Sequence, residues 1–83
     1  MVYVGYFKPF WLNILNMEII AKRIKELREE KGLSQKALAK ELNVTQTTIS
    51  KWEQDIRNPD LPTIVELCKY FKVSADYLLG LED

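Results

Sequence analysis

Histidine does not occur among the 83 residues. Its absence removes the commonest general base and metal ligand, so neither a Ser-His nor a Cys-His nucleophile pair can be assembled. Cysteine occurs once, at Cys68. A single thiol builds neither an internal disulfide framework nor the multi-ligand cage of structural zinc, and it fits a reducing, cytoplasmic setting. Net charge is missing too, because 12 Lys and Arg face 12 Asp and Glu. No uninterrupted apolar stretch reaches the ~20 residues of a membrane span, and no basic start with a small-residue cleavage site marks a signal peptide. These absences argue against an enzyme, a metal or cofactor protein, and a membrane protein. What is present suits one compact domain, since 47% hydrophobic and 29% charged residues exclude disorder, and a chain this short has interior for a single core.

The chain changes character between residues 17 and 18. Residues 1–17, MVYVGYFKPFWLNILNM, carry one charge (Lys8) and most of the aromatics, whereas everything from Glu18 onward is densely charged and helix-like. Val2 to Phe7 reads as a short strand, and Pro9 then opens a helical stretch through Phe10, Ile14 and Met17. Two readings of this segment stay open: an apolar arm that docks on its own body or a partner, or an appended segment with Met17 as the natural start.

Residues 18–83 read as five short helices without a strand. Ile20, Ile24 and Leu27 form one apolar stripe, which Gly32 ends as a left-handed cap. The intervening charges allow pairs such as Glu18 with Lys22 and Lys25 with Glu29 on a solvated face. Ser34 caps a second helix with Leu38, Ala39 and Leu42 inward, and Asn43 stops it. Thr45 caps a third, with Ile49 and Trp52 buried. Asp60 caps a fourth, carrying Ile64, Leu67, Cys68 and Phe71, and Ser74 caps a fifth, carrying Tyr77, Leu78 and Leu79 before Gly80.

The informative stretch is SQKALAKELNVTQTTISKWE, residues 34–53. Two short helices joined by a few residues around Asn43 must cross steeply, and the small Ala39 lets them touch. At about 100° per residue, setting Thr45, Ile49 and Trp52 inward turns Thr47, Ser50, Lys51 and Gln54 outward, with Gln46 and Thr48 flanking them. No acid lies among residues 42–52. The outward set is amides, hydroxyls and one cation, the groups that hydrogen-bond base edges in a major groove about 12 Å wide. A Gln-Thr-Thr run is poor in helix propensity, so mere solvation of a surface helix is a weak account of it.

Over Ile19 to about Leu81 the chain resembles the phage Cro/repressor-type helix-turn-helix proteins, the Xre family. The residues that carry the likeness are LREEKGLSQKALAKELNV, then TQTTISKWEQ, then RNPDLPTIVELCKYFKVSADYLLG. The resemblance implies an all-α, five-helix repressor-like domain that binds double-stranded DNA through its third helix. It implies that Gln46, Thr47 and Lys51 read bases, and that Gln35 holds a phosphate and braces Gln46. Ser34, Thr45, Thr48 and Arg57 would touch the sugar-phosphate backbone, and Arg28 with Glu53 would form a structural ion pair. Asn43 and Asp55 stand where the family usually has glycine, and both tolerate positive φ.

Lys36, Lys40 and Lys51 against Glu41 concentrate cations near the proposed face, while Glu66, Asp76, Glu82 and Asp83 lie downstream. Few phosphate contacts per domain imply two half-sites about 34 Å apart, hence a homodimer. Tyr70, Phe71, Tyr77, Leu78 and Leu79 either complete the core or, as the resemblance suggests for the fifth helix, meet a second subunit. An antitoxin-like protein that holds a protein partner through the N-terminal arm or fifth helix is the alternative. Cys68 reads as a small buried hydrophobe.

Overall fold

The computed structural model describes residues 10–82, with side chains from Glu18 onward. The strand expected over residues 2–7 lies outside them. Phe10 to Lys31 contains neither glycine nor proline, and one helix, α1 (Phe10–Glu30), runs through it. The change in composition between residues 17 and 18 therefore falls inside a continuous helix. After it come α2 (Gln35–Leu42), α3 (Gln46–Glu53), α4 (Leu61–Phe71) and α5 (Ala75–Leu78). The described residues are all-α, and no helix among them is long and apolar enough to cross a membrane.

Each helix ends in the same way. Gly32, Asn43, Asp55, Lys72 and Gly80 all take positive φ, between 57° and 80°. In each case the next residue's N–H reaches back five positions: Leu33 to Arg28, Val44 to Ala39, Ile56 to Lys51, Val73 to Cys68 and Leu81 to Asp76. This closure satisfies carbonyls that a helix end would otherwise strand and turns the chain sharply. Lys72 is the unexpected member, because a lysine gains nothing locally from the left-handed region. The starts are as regular. Ser34, Thr45, Asp60 and Ser74 accept the N–H of Ala37, Thr48, Thr63 and Tyr77 at 3.0, 3.1, 3.0 and 3.0 Å. At Asp60 these bonds from Thr63 hold the carboxyl below its usual range.

α2 packs on α3, α1 on α3 and α5, and α4 on α5. The core joins Ile24 and Leu27 of α1 to Leu38, Ile49, Leu67 and Leu78 from the other four helices. Leu78 is fully buried, and Tyr70, Tyr77 and Leu79 pack half-buried against the same cluster. Those residues thus contribute to the core, and Tyr70, Tyr77 and Leu79 keep part of their surface exposed. Cys68 is half-buried beside them, and burial pushes its thiol up, away from the reactive thiolate.

The seam between α1 and α5 is tight. The Arg23 guanidinium lies 3.9 Å from the Tyr77 ring centroid and donates to the Glu82 carbonyl at 3.3 Å. A Cβ on Gly80 would come within 2.8 Å of Ile19 Cγ2, at a φ of +80°. Gly80→Ala is accordingly expected to cost roughly 2–3 kcal/mol, from left-handed backbone and side-chain overlap together, seen as a lower urea midpoint. An unchanged midpoint would show that the seam yields freely. On the exposed face of α1 the pairs drawn from sequence do not form. The ion pairs among the described residues are Arg28 with Glu29 at 3.9 Å and Arg28 with Glu53 at 2.6 Å.

Candidate nucleic-acid interface

The turn between α2 and α3 takes three residues. Asn43, at φ 60°, reverses the chain, Val44 returns its N–H to Ala39 at 2.9 Å, and Thr45 begins the next helix. Ala39 is 3% exposed where the two helices meet, so a larger side chain would push them apart. On α3, Ile49 and Trp52 lie at 0% and 4% exposure. With those anchors three residues apart, the opposite side of the helix must face water.

Gln46, Thr47 and Lys51 are all exposed on that side, as is Gln54, with Ser50 half-buried. The same residues, with Gln35 and Ile56, line one shallow recess along α3. Gln54 donates to Ser50 at 2.5 Å, which steadies the C-terminal part of the face. A second recess lies where the cap residue Ser34 and Lys36 and Lys40 of α2 meet Gln46. A third, on the other flank, takes in Thr48, Arg57 and Asn58. Gln46 therefore stands on a ridge. The flanks carry hydroxyls and cations suited to phosphate, and the ridge carries the amide suited to a base edge.

Thr45 departs from expectation. It is exposed rather than inward, since as an N-cap its backbone is extended (φ −88°, ψ 156°) and lies off the helical wheel used to place it. Its hydroxyl lies 2.9 Å from that of Thr48. One of the two hydroxyl protons is spent between them, which leaves the other for an outside acceptor such as a phosphate oxygen.

Gln35 also departs from expectation. Its Nε2 donates to Glu53 Oε1 at 3.0 Å instead of bracing Gln46. Arg28 holds the same carboxylate with two bonds, Nε to Oε2 at 2.6 Å and Nη2 to Oε1 at 3.1 Å, and spends Nη1 on the Leu33 carbonyl at 2.7 Å. The hydrogen bond to Glu53, ahead of Coulombic attraction, strengthens the guanidinium's hold on its proton despite desolvation. The network ties the end of α1, the start of α2 and the end of α3 into one rigid unit. The Arg28–Glu53 pair lies largely out of solvent, at 11% and 4% side-chain exposure, while Gln35 also lines the recess along α3.

Lys36 and Lys40 were noted in the sequence only as nearby cations, yet they line the α2 recess. Ile56 was missed entirely. Its signal was a bulky apolar residue set between Asp55 and Arg57 in a polar loop.

A short helix crossing in front of a helix that is anchored from behind and carries no acid on its outward face defines a helix-turn-helix DNA-binding domain. The helix-turn-helix family profile matches residues 24–78, and the chain belongs to that family. The repressor-type likeness holds in structure as well. The c2 repressor of Salmonella phage P22, in a crystal structure with a synthetic operator, superposes with a TM-score of 0.70 at 32% identity, covering 76% of this chain and 96% of that one. Among curated relatives, the transcriptional regulator ImmR of Bacillus subtilis is 41% identical over 64 residues, 77% of this chain and 50% of its own length. The transcriptional activator BcrR of Enterococcus faecalis is 37% identical over 62 residues, 75% of this chain and 30% of its own. The chain thus spans half or less of the length of these two regulators. Its family is one of DNA-binding regulators of transcription, not of enzymes.

Proposed function

We propose that this chain is a sequence-specific, double-stranded DNA-binding transcriptional regulator that acts in the cytoplasm as a homodimeric repressor, by occupying a roughly palindromic operator. The observation that carries this reading is the outward face of α3, where Gln46, Thr47 and Lys51 are exposed while Ile49 and Trp52 hold the helix from behind. Gln46 grips a base, adenine being the bidentate match for an amide, Lys51 donates to guanine, and Thr47 adds a hydroxyl and a methyl. Ser34, Gln35, Thr45, Thr48 and Arg57 hold the phosphates on either side. Helix N-termini at Gln35 and Gln46 offer free N–H groups to the same anions.

Dimerisation follows from the small number of cations, Lys36, Lys40, Lys51 and Arg57, around the face. Each domain alone gathers little counterion-release free energy, so a second half-site about one helical turn away supplies the rest. That an activator stands among the relatives is consistent with this reading, because occupation of DNA is common to both outcomes and promoter geometry sets the sign.

Selection from a random duplex pool with the full chain tests the reading directly. A two-fold symmetric sequence should be enriched, and sedimentation should show a dimer. Gln46→Ala should then lose ~1–3 kcal/mol of discrimination at one base pair per half-site, whereas Arg57→Ala should weaken every sequence alike. Equal losses on all sequences from Gln46→Ala would overturn its role. Purification as a stable complex with another protein would point instead to the antitoxin-like alternative.

A further inference from the structure

We infer that Ile56 is a base-reading residue that selects thymine over cytosine, by packing on the thymine C5 methyl at the edge of the site read by the C-terminal half of α3. This rests on the operator reading above and extends it to a residue outside the helix.

Ile56 is 65% exposed, whereas most other aliphatic side chains among the described residues are committed to the core. It lines the same recess as Gln46, Thr47, Lys51 and Gln54. The other large exposed apolar side chains among the described residues, Leu61 and Val65 on α4 and Leu81 near the C-terminus, do not line it. Nor does Ile56 sit on a loose loop. Its N–H donates to the Lys51 carbonyl at 3.0 Å, and the left-handed turn at Asp55 (φ 60°) directs the chain back beside the helix. A β-branched side chain on a pinned backbone has few rotamers to lose on contact.

In free solution that side chain gains nothing from the amides and the ammonium around it. A docked duplex changes this, because the major groove offers one apolar group, the methyl on C5 of thymine. An apolar side chain beside the reading amides matches that methyl, whereas cytosine presents an amino group and a bare C5–H there.

Deoxyuridine provides the test, since it differs from thymidine only by that methyl and keeps every hydrogen-bonding edge. Starting from the sequence enriched by the wild-type chain, each thymine of a half-site is replaced singly by deoxyuridine. Affinities are measured at one salt concentration for the wild type, Ile56→Ala and Thr47→Ser. At one position the replacement should weaken the wild type about fourfold, the size expected for one buried methyl-sized group, and should leave Ile56→Ala unaffected. Thr47→Ser, which lacks a different methyl, should still respond there. The exposure of Ile56 makes the alanine variant a benign one for folding, which its melting curve will show.

Three results overturn the proposal: a half-site without thymine at that edge, no position at which the deoxyuridine effect vanishes in Ile56→Ala, or an Ile56→Ala loss equal on thymine and deoxyuridine at every position. All three occur with a protein that still enriches a sequence, so they are distinct from failure of the operator reading, in which the pool yields no enriched sequence and both ideas fall.

Discussion

Glu53→Ala is expected to destabilise the domain by about 3–5 kcal/mol, the usual penalty for stranding one partner of a buried ion pair. The Arg28 and Glu53 side chains are 11% and 4% exposed, so the guanidinium left behind would be only partly rehydrated. Gln35 would lose its acceptor at the same stroke. For a domain of this size total stability is only about 4–12 kcal/mol, and each kcal/mol moves Tm by roughly 4–8 °C, so a drop of more than about 12 °C is anticipated by calorimetry. Replacing both partners with apolar residues, Arg28→Met with Glu53→Leu, should recover most of the loss, because no charge is then buried alone. The double variant should enrich the same DNA sequence as the wild type. A single-variant cost near that of an exposed pair, below about 1 kcal/mol, would show that water reaches this carboxylate.

Trp52→Ala should be comparably severe, at about 3–5 kcal/mol, and its effect should extend to DNA. Trp52 is 4% exposed, lies behind the outward face of α3, and lines the recess that contains Thr48 and Arg57. Truncation would leave a void under the C-terminal half of α3 and unseat the loop that carries Arg57. Affinity for every sequence should therefore fall even at temperatures where the variant remains folded, whereas Trp52→Phe should retain most of both properties. A Trp52→Ala protein that melts with the wild type would mean that the ring does not anchor α3.

How much of this was legible beforehand depended on the range of the interaction involved. Ser34, Thr45, Asp60 and Ser74 could be read as caps because each bonds an N–H only three residues away. Gly32, Asn43 and Asp55 could be read as left-handed positions because the preference belongs to the residue itself. Lys72 could not, since nothing in lysine favours φ 57°; its conformation follows from where α4 must stop for Val73 to reach the core. Thr45 was turned the wrong way because a cap does not share the helix's periodicity. The bond from Gln35 to Glu53 was not legible because Glu53 lies 18 positions away in the chain. The break drawn after residue 17 followed composition, whereas α1 follows the absence of any residue able to interrupt it.

From residue order alone came the class of the molecule: five helices, a short turn at Asn43 and an acid-free surface on the third helix. Such features depend on neighbours a few positions apart, and local sterics and hydrogen bonding settle them. Tertiary packing decided which outward groups share one recess, that Glu53 gathers both Arg28 and Gln35, and that Ile56 stands beside the reading helix instead of inside the core. Those outcomes depend on contacts between segments up to 25 residues apart, and only the folded chain brings such segments together.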